Sequence, residues 1–565
     1  MSDPDRTNPK ERLSRRQYLR GAACSALVVS VAGCQTDGGD GEDGGGAEGQ
    51  QTATGTETEQ QEEGGETQAQ EETAGGDGSL TFAQAKSPIE FDPIVLNDVP
   101  SAEVAGLLFD PLYTYDEGTN LVPQIAADMP EVERNAQRWI VPLNTDATFQ
   151  NGDAVTAEDV AYSFTAPVEE ETENAGEFSM IDTVEAVDES TVQFDLKFEF
   201  GAFDSYLPWE IVSKSVREED KEAYNTQSPV GAGPFTFEDW QEGEFVRVTR
   251  WDDYWGDPTP NLAEIEFVPV EEPTTRITTL RTGENEIVKN IPPANWQTVE
   301  EMDDASIESV LGTSYFYLAF NCNEGPTADP EVREAIDYAF SMDSAVEQFV
   351  EPTGERQYAP VPRAISEDWE FPTDEWEQVP HERDVDQAKS MLDDNDNVPD
   401  DWSARIIVPP DDKREQIGVS VSNGLQEAGY DATVQRLDWG AFLEQYVSGS
   451  ADDYNMYTLG WAGSPDPDTF MYFLFSHEEI GTTNGTYYEN EEMNEQIMNA
   501  RQSNNEEQRR EWYTNAINTV LQDRVHLPSY NLKNSFGVRG LVNDFQAHPV
   551  SQFSIVSNYN NASVE

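Results

Sequence analysis

Cysteine is almost missing from this chain. It has three cysteines in 565 residues, and only Cys322 lies beyond the N-terminal segment that holds Cys24 and Cys34. A disulfide needs two cysteines in one folded body, and a cysteine-based metal site needs several. The sequence therefore excludes both a disulfide framework and a cysteine metal site within one mature chain.

Positive charge is also scarce. The chain has 33 lysines and arginines against 111 aspartates and glutamates, a formal net charge of -78. Such a chain repels nucleic acid, and at low salt it repels itself. At molar salt the Debye length falls to about 3 Å and the repulsion largely disappears, so the composition is typical of halophilic, archaeal proteins. Because carboxylate pairs then occur everywhere by background, they do not by themselves indicate catalysis.

The N-terminal apolar run is too short to cross a membrane. Gly21 to Val31 is 11 residues long, whereas a spanning helix needs about 20. A basic leader precedes it and a small-residue site follows, the layout of an export signal. The stretch around Arg15 and Arg16 resembles a twin-arginine signal, with Tyr18 in place of the usual Phe, and Val-Ala-Gly-Cys resembles a lipobox. The lipobox implies lipid attachment at Cys34; the alternative is a short buried helix with a free thiol.

Residues 35–79 have very few apolar side chains to bury, being mostly Gly, Glu, Asp, Gln and Thr. Such a segment cannot offset its ordering entropy, so we predict a disordered tether between residues 1–34 and the body. The body, from about residue 80 to 565, is too large for one ordinary core and implies two or more lobes.

Enzyme signatures are missing as well. Four histidines are present without a His-Glu-x-x-His pattern, and neither a Gly-x-Ser-x-Gly elbow, a phosphate loop nor a dinucleotide fingerprint occurs. Cys322 is expected to be a small core or strand residue. We predict a protein without catalytic residues, metal or cofactor. A secreted hydrolase remains the distant alternative, because paired carboxylates could support glycoside hydrolysis.

Short strands alternate with helices, which predicts a mixed α/β body. Alternating apolar residues indicate strands at 79–83, 191–196 and 245–249. Thr156 and Asp329 have the positions of helix caps, the second followed by proline at the first turn and a buried apolar stripe.

Six stretches of the body, in order, resemble the peptide-type (family 5) solute-binding proteins of ABC importers. They are FDPLYTY with LVPQIA from Phe109, FQNGDAVTAEDVAYSF from Phe149, PVGAGPF from Pro229, LRTGENEI from Leu280, FNCN with DPEVREA from Phe320, and GWAGSPDPDTF from Gly460. The resemblance covers nearly everything after the tether.

The resemblance implies a two-lobed α/β fold, periplasmic-binding-protein-like (class II, peptide-binding type), that closes around a central cleft. The first lobe is expected at 80–270 and 525–565, with an extra subdomain at about 111–228, and the second lobe at 271–524. The implied partners are a peptide or other small-molecule ligand, permease subunits of an ABC transporter, and the membrane through the lipid anchor. We expect a monomer held at the outer face of the cell membrane.

The segment after Gly460 is the first candidate for ligand contact. Trp461 can cover a ligand, or it can pack within the second lobe. Dipeptide- and oligopeptide-binding members of the family have an aspartate three residues after this tryptophan, which pairs with the ligand's amino terminus; this chain has Ser464 there. A buried ammonium without a carboxylate partner is costly, so either Asp466 takes that role or the ligand has no free amine.

Further candidates are weaker. Trp439 borders the cleft in the resemblance, with an aromatic at a strand end as the alternative. Residues 97–103 would face the cleft by position, although a solvated loop is expected. Arg276 and Arg281 could bind a ligand carboxylate but are expected to pair with acids of the chain. Asn484 and Asn561 begin N-glycosylation sequons.

We therefore predict an extracellular binding protein that captures a peptide or similar small polar solute for an ABC importer. Oligosaccharides, opines and nickel complexes remain alternative ligands, because aromatic residues suit sugar faces as well as peptide side chains. A purely structural surface protein is the rival outside the binding class.

Overall fold

The computed structural model describes residues 78–550 and 555–565. The predicted export signal with Arg15 and Arg16, the lipid site Cys34 and the tether up to residue 77 lie outside the described residues. In the part of the chain that is described, no helix is both long and apolar enough to cross a membrane.

The N-terminal elements run from residue 79 to 311. They are β1 (Ser79–Gln84), α1 (Val99–Leu108), β2 (Tyr113–Tyr115), β3 (Leu121–Pro123), β4 (Glu131–Glu133), β5 (Arg138–Pro142), α2 (Ala157–Glu169), β6 (Ile181–Asp188), β7 (Thr191–Leu196), α3 (Lys214–Glu219), α4 (Lys221–Thr226), β8 (Phe235–Gln241), β9 (Phe245–Arg250), β10 (Glu264–Pro269), α5 (Pro273–Thr282), β11 (Ile287–Lys289), α6 (Pro293–Glu300) and β12 (Ala305–Leu311).

The remaining elements follow from residue 314. They are β13 (Ser314–Phe320), α7 (Pro330–Ala339), α8 (Met342–Phe349), β14 (Gly354–Arg356), α9 (Arg363–Asp368), α10 (Thr373–Trp376), α11 (Val385–Asp394), β15 (Ser403–Val408), α12 (Asp412–Ala428), β16 (Asp431–Arg436), α13 (Trp439–Tyr446), β17 (Met456–Ala462), α14 (Pro467–Phe475), α15 (Glu491–Arg501), α16 (Glu506–Gln522), β18 (His526–Arg539), β19 (Val542–Asn543) and β20 (Ser563–Val564). Short 3₁₀ turns occupy Glu173–Phe178, Phe203–Tyr206, Pro326–Ala328 and His477–Glu479.

The local patterns named from the sequence form the expected elements. Thr156 caps α2 in a capping box with Asp159, whose carboxylate accepts from the Thr156 backbone N–H at 3.0 Å. Asp329 caps α7, with Pro330 at its first position. The three predicted strands are β1, β7 and β9.

A 12-stranded sheet runs through the molecule, with main strand order β16-β15-β17-β13-β18-β11-β1-β10-β9-β8. The long strand β18 lies between the two halves of this sheet: residues 526–530 pair with β13, and residues 533–539 pair with β12. A separate four-stranded antiparallel sheet, β4-β5-β7-β6, forms a subdomain. The fold is thus the mixed α/β architecture that the sequence predicts.

We define the first lobe as residues 78–311 together with those after 532, and the second lobe as residues 314–532. Strand pairing sets this definition, since β11 and β12 lie beside β1 and the C-terminal half of β18. The boundaries at 271 and 525 that the sequence suggested stay predictions.

Separate apolar cores support each lobe. In the second lobe every residue of β13 is buried, and its alternate side chains enter two different cores. Tyr315 and Tyr317 face α14 to α16, whereas Phe316 and Leu318 face α7, α8 and α12. Full burial of a large apolar side chain stabilises the folded state by roughly 1.5–3 kcal/mol. A strand that is buried on both faces therefore holds the segments at its ends in fixed positions.

Candidate functional site

The two lobes point the carboxyl ends of their parallel strands at each other. In the second lobe β15 runs parallel to β16 and β17; in the first lobe β1 runs parallel to β10 and β11. Because β18 pairs antiparallel with both β13 and β11, the ends of both strand sets meet near the middle of β18. Ligands of open α/β sheets bind outside the carboxyl ends of the strands, so the candidate cleft lies here.

Trp461 stands at this edge, near the end of β17. It lies opposite Tyr315 in the register and is partly exposed. Its indole Nε1 donates to the Thr469 carbonyl at 2.9 Å, and its ring lies 5.7 Å from that of Phe473. The hydrogen bond fixes the indole in place while part of its surface stays open. Ligand contact by Trp461 stays a prediction.

Ser464 lies where the two lobes touch. Its hydroxyl is 3.3 Å from the hydroxyl of Ser205 in the first lobe and 2.8 Å from that of Thr469 in its own lobe. The position where the family resemblance implies an aspartate thus forms a neutral bridge between the lobes.

Asp466 is already paired within the second lobe. Both of its carboxylate oxygens accept from Nη2 of Arg509, at 2.7 and 2.9 Å, and the side chain is 4% exposed. It also accepts from the backbone N–H of Asp468 at 2.7 Å as the cap of α14. A ligand amine at Asp466 would have to share this carboxylate with a guanidinium, and that role stays a prediction.

A second buried ion pair lies beside the first. Arg501 binds the Asp468 carboxylate, which also accepts from the hydroxyl of Tyr513 at 3.0 Å. The guanidinium lies 3.6 Å from the ring centroid of Tyr472. Burial raises the pKa of Asp468, and Arg501 opposes that rise. No local sequence pattern indicates either arginine, because they lie 33 and 43 residues from their aspartates along the chain.

Trp439 begins α13 directly after its cap Asp438. Its side chain is 48% exposed and stacks on Phe442 with ring centroids 5.9 Å apart. It follows the carboxyl end of β16, at the edge of the sheet, so it lies on the same side as Trp461 but two strands away. A ligand contact by Trp439 also stays a prediction.

The expectation of a solvated loop at 97–103 is wrong. Asp98 caps α1, which begins at Val99, and Glu103 is 3% exposed. Glu103 binds Lys289 and accepts from Gln84 Nε2 at 2.6 Å, at the carboxyl ends of β1 and β11. A helix forms there because Asp98, Pro100 and the apolar residues behind them satisfy its first turn and its buried face.

The two arginines proposed for a ligand carboxylate lie on α5. The guanidinium of Arg276 is buried and donates to the carbonyl oxygens of Val270 at 2.6 Å and Lys289 at 3.0 Å. It therefore ties the ends of β10 and β11 together. Arg281 is exposed, in the last turn of the helix.

Three carboxylates of the first lobe, one buried and two half-buried, form no ion pair among the described residues. Asp110 accepts from Tyr254 and Gln124, and burial raises its pKa to about 7. Burial also raises the pKa of Glu177 to about 7, and the neighbouring Glu210 carboxylate adds to the rise. Burial likewise raises the pKa of Glu210. In a sequence with so many acids, no residue pattern distinguishes these three.

Neither a metal nor a nucleophile site emerges from the described residues. They contain no group of three or more His, Cys, Asp or Glu side chains placed to hold a metal ion. Burial raises the pKa of the Cys322 thiol to about 11, which suits the expected core role. The Asn484 sequon is buried, with its Oδ1 accepting from Thr486. Asn561 is half-buried; its Oδ1 accepts from the Asn261 backbone N–H and its Nδ2 donates to the Thr259 carbonyl.

Comparison with known proteins gives a consistent result. A family model described as bacterial extracellular solute-binding proteins, family 5 middle, matches residues 120–482. The oligopeptide-binding protein AppA of Bacillus subtilis (strain 168) is 25% identical over 495 residues, covering 84% of this chain and 89% of AppA. The glutathione-binding protein GsiB of Pectobacterium atrosepticum is 24% identical over 452 residues, covering 76% of this chain and 84% of GsiB.

The same architecture occurs in a solved structure. HbpA2 from Haemophilus parasuis superposes with a TM-score of 0.76 at 20% identity, covering 86% of this chain and all of HbpA2. At this identity the likeness concerns the fold, and it matches the two-lobed periplasmic-binding-protein architecture with its cleft between the lobes.

Proposed function

The chain belongs to the family 5 extracellular solute-binding proteins, and we propose that it captures a peptide or similar small polar solute and delivers it to the permease of an ABC transporter. The observation that carries the proposal is the pair of facing sheet edges, which creates one cleft between two lobes joined by β18 and by the β12–β13 connection. A ligand that touches both edges is bound only when the lobes are together, so binding shifts the population to the closed form.

Peptides are the favoured ligand class because relatives that cover most of this chain are named for oligopeptide and glutathione binding. Glu177 and Glu210 of the first lobe have carboxyl groups without an ion-pair partner among the described residues, which supports a ligand with an amino group. Oligosaccharides, opines and nickel complexes remain the alternatives for the same importer role.

The setting of the protein is part of the proposal. We propose export by a twin-arginine route, lipid attachment at Cys34 and a flexible tether at 35–79 that holds a monomeric body at the outer face of the membrane of a halophilic archaeon. The acidic surface supports work at molar salt. A binding rather than catalytic role is supported by the family membership.

The test is a thermal-shift screen of the protein in molar KCl against di- and oligopeptides, oligosaccharides, amino acids and nickel. A ligand present at 100 times its dissociation constant stabilises the folded state by about 2.7 kcal/mol. A shift with peptides supports the proposal, and a shift with sugars alone replaces the peptide by a sugar in the same role. Well-folded protein that responds to none of these classes contradicts solute capture as stated.

Trp461 gives a second check on the site. Trp461→Ala should weaken the binding of whichever solute the screen identifies, because the open part of the indole lies at the carboxyl edge of β17. Unchanged affinity in that variant would remove Trp461 from the site while leaving the function in place.

A further inference from the structure

We propose that residues 200–206, here the strap, form a docking device that holds the lobes closed through contacts in which the ligand takes no part. The inference rests on the proposed function, because it assumes two lobes that open and close. It goes beyond that function by assigning part of the closing free energy to the protein itself, in a segment that no ligand needs to touch.

The strap is anchored on the first lobe. Phe200, Ala202 and Phe203 are buried in the core of the subdomain, and the Phe200 backbone N–H donates to the Ala136 carbonyl at 3.3 Å. Phe203 packs against Trp139 with ring centroids 5.6 Å apart. These contacts hold the strap on the first lobe and do not involve the second lobe.

The surface that receives the strap is anchored on the second lobe. Arg509 is held by both carboxylate oxygens of Asp466, and its Nε donates to the Ala500 carbonyl at 3.1 Å. Arg501 is held by Asp468 and stacks on Tyr472. Both guanidinium groups are therefore neutralised and oriented by their own lobe, which leaves their remaining faces for the strap.

Three kinds of contact join the two surfaces. The Gly201 backbone N–H donates to the Arg501 carbonyl at 2.7 Å, and the Gly201 carbonyl accepts from Arg509 at 3.5 Å. The Arg501 guanidinium lies 4.5 Å from the Phe200 ring centroid, a cation–π contact. The third contact is between the hydroxyls of Ser464 and Ser205, which are 3.3 Å apart.

Glycine at position 201 is what allows this approach. A Cβ at that position would lie 1.6 Å from the Ser503 carbonyl oxygen, far inside contact distance. The obstacle is backbone of the second lobe, so it could not move aside as a flexible side chain does. The substitution Gly201→Ala would therefore be compatible with each lobe alone and incompatible with the closed contact.

Asp204 of the strap lies close to the Asp466–Arg509 ion pair of the second lobe. Burial raises its pKa to about 6, the Asp466 carboxylate adds to the rise, and Arg509 opposes it. A carboxylate on an open, solvated segment would lack this burial. The enclosure of Asp204 supports the view that the strap is a contact surface, as the geometry already indicates.

The experiment compares Gly201→Ala with Gly106→Ala in the full chain. Gly106 lies in α1 of the first lobe, and a Cβ there would meet nothing within 4 Å. Small-angle X-ray scattering in molar KCl, without any ligand, measures the radius of gyration of each variant. We expect Gly201→Ala to be more expanded than the wild type and Gly106→Ala to match it, with melting temperatures of all three in close agreement.

Two results would overturn the proposal. An unexpanded Gly201→Ala protein would show that the strap does not hold the lobes together. A large fall in its melting temperature would show that the strap and Ser503 belong to one rigid body. Since neither readout uses a ligand, a failed ligand screen and a failed strap are distinguishable.

A second variant probes the other surface. Arg501→Lys keeps a cation for Asp468 but loses the planar group that lies against Phe200 and Tyr472. We expect an expansion smaller than that of Gly201→Ala, and for any identified solute an apparent affinity lowered in proportion to the closed fraction, up to about tenfold. Wild-type scattering and affinity in Arg501→Lys would contradict the assignment of Arg501 to the docking surface.

Discussion

Two sets of carboxylates, one in each lobe, differ in whether a cation accompanies them. In the second lobe Asp466 and Asp468 each have a dedicated arginine, Arg509 and Arg501. In the first lobe Asp110, Glu177 and Glu210 have no ion-pair partner among the described residues, and burial raises the pKa of all three.

This difference distinguishes carboxylates that stabilise their own lobe from carboxylates that remain available to a ligand. A carboxylate that is paired with a guanidinium stabilises the structure of its lobe and has little capacity left to bind a cationic ligand. A carboxylate enclosed without a cation is penalised by desolvation, and a cationic ligand would relieve that penalty. We therefore expect a ligand amine on the first-lobe side, although Ser464, where the family resemblance implies an aspartate, lies on the other side.

The largest expected effect follows from breaking a matched pair. Arg509→Met leaves Asp466 buried at 4% exposure without its cation, and removal of one partner of a buried pair costs about 3–5 kcal/mol. We expect the free energy of unfolding, measured by denaturant titration in molar KCl, to fall by that amount.

The neighbouring residue supplies the control. Arg510 pairs with Glu370 at 2.9 Å, but that glutamate side chain is 80% exposed. Exposed pairs contribute about 0–1 kcal/mol, so Arg510→Met should change little. Equal losses of unfolding free energy in the two variants would mean that the buried Arg509–Asp466 pair contributes no more to stability than an exposed pair.

The next effect concerns an unmatched carboxyl group. The pKa of Asp110 is about 7 in the folded protein against an ordinary 3.8. Below pH 4 the group is protonated in both states; as pH rises from 4 through 7 the unfolded chain releases the proton first, so stability is lost over that window. Asp110→Asn should remove this slope and exceed the wild type by roughly 2–3 kcal/mol at pH 8, relative to their difference at pH 5.

Unfolding curves at pH 5, 6.5 and 8 in molar KCl would measure this difference. Asn can still accept from Gln124 Nε2, so the local hydrogen bonding is largely kept. Parallel pH profiles for the two proteins would show that Asp110 does not titrate in this window, which would weaken the contrast between the two sides of the cleft.

Much of the fold could be predicted from the sequence because its signals are local. The capping residues Thr156 and Asp329, and the alternation in β7 and β9, lie within a few residues of the elements that they determine. The order of the six family stretches then indicated two lobes and a cleft. The segment at 97–103 was misjudged because its polar residues suggested solvent, whereas Glu103 is buried against Lys289, 186 residues away.

The candidate site could be predicted only in part, for the same reason. Trp461 and Asp466 were found because a family stretch contains them. The partner of Asp466 is 43 residues away and the partner of Ser464 in the first lobe is 259 residues away. In a chain with 111 acidic residues, which carboxylates meet an arginine is decided by tertiary packing and not by any pattern.

A smaller effect is expected at the first-lobe carboxylates. Glu177→Gln and Glu210→Gln should each lower the affinity for a peptide with a free amino terminus by about ten- to a hundredfold, or about 1.4–2.8 kcal/mol of binding free energy. The same peptide with an acetylated amino terminus should lose little, which isothermal titration calorimetry can compare directly. Glu219→Gln, an exposed first-lobe glutamate, is the control for a change of net charge alone.

The opposite outcome for that pair is equally definite. If Glu177→Gln and Glu210→Gln both bind the peptide with a free amino terminus as tightly as the wild type does, the ligand amine does not lie at these two carboxylates. Asp466, shared with Arg509, would then be the better candidate.

The smallest effect should come from the neutral bridge between the two sides. Ser464→Ala removes a hydroxyl that lies 3.3 Å from that of Ser205, beyond the usual range of about 2.5–3.0 Å for an O–H···O bond. Thr469 stays bound to Trp461 through its carbonyl. A neutral hydrogen bond contributes about 0.5–1.5 kcal/mol, and a long one less, so we expect a loss of affinity of about threefold or less in calorimetry. Ser464→Asp is the more discriminating variant, because it introduces the carboxylate that the family resemblance implies at this spacing. If it strengthens binding of free-amine peptides over acetylated ones, a ligand amine reaches the second lobe and the two sides of the cleft share it. Unchanged or weaker binding by Ser464→Asp leaves the amine with the first lobe, whose desolvated carboxylates it would neutralise.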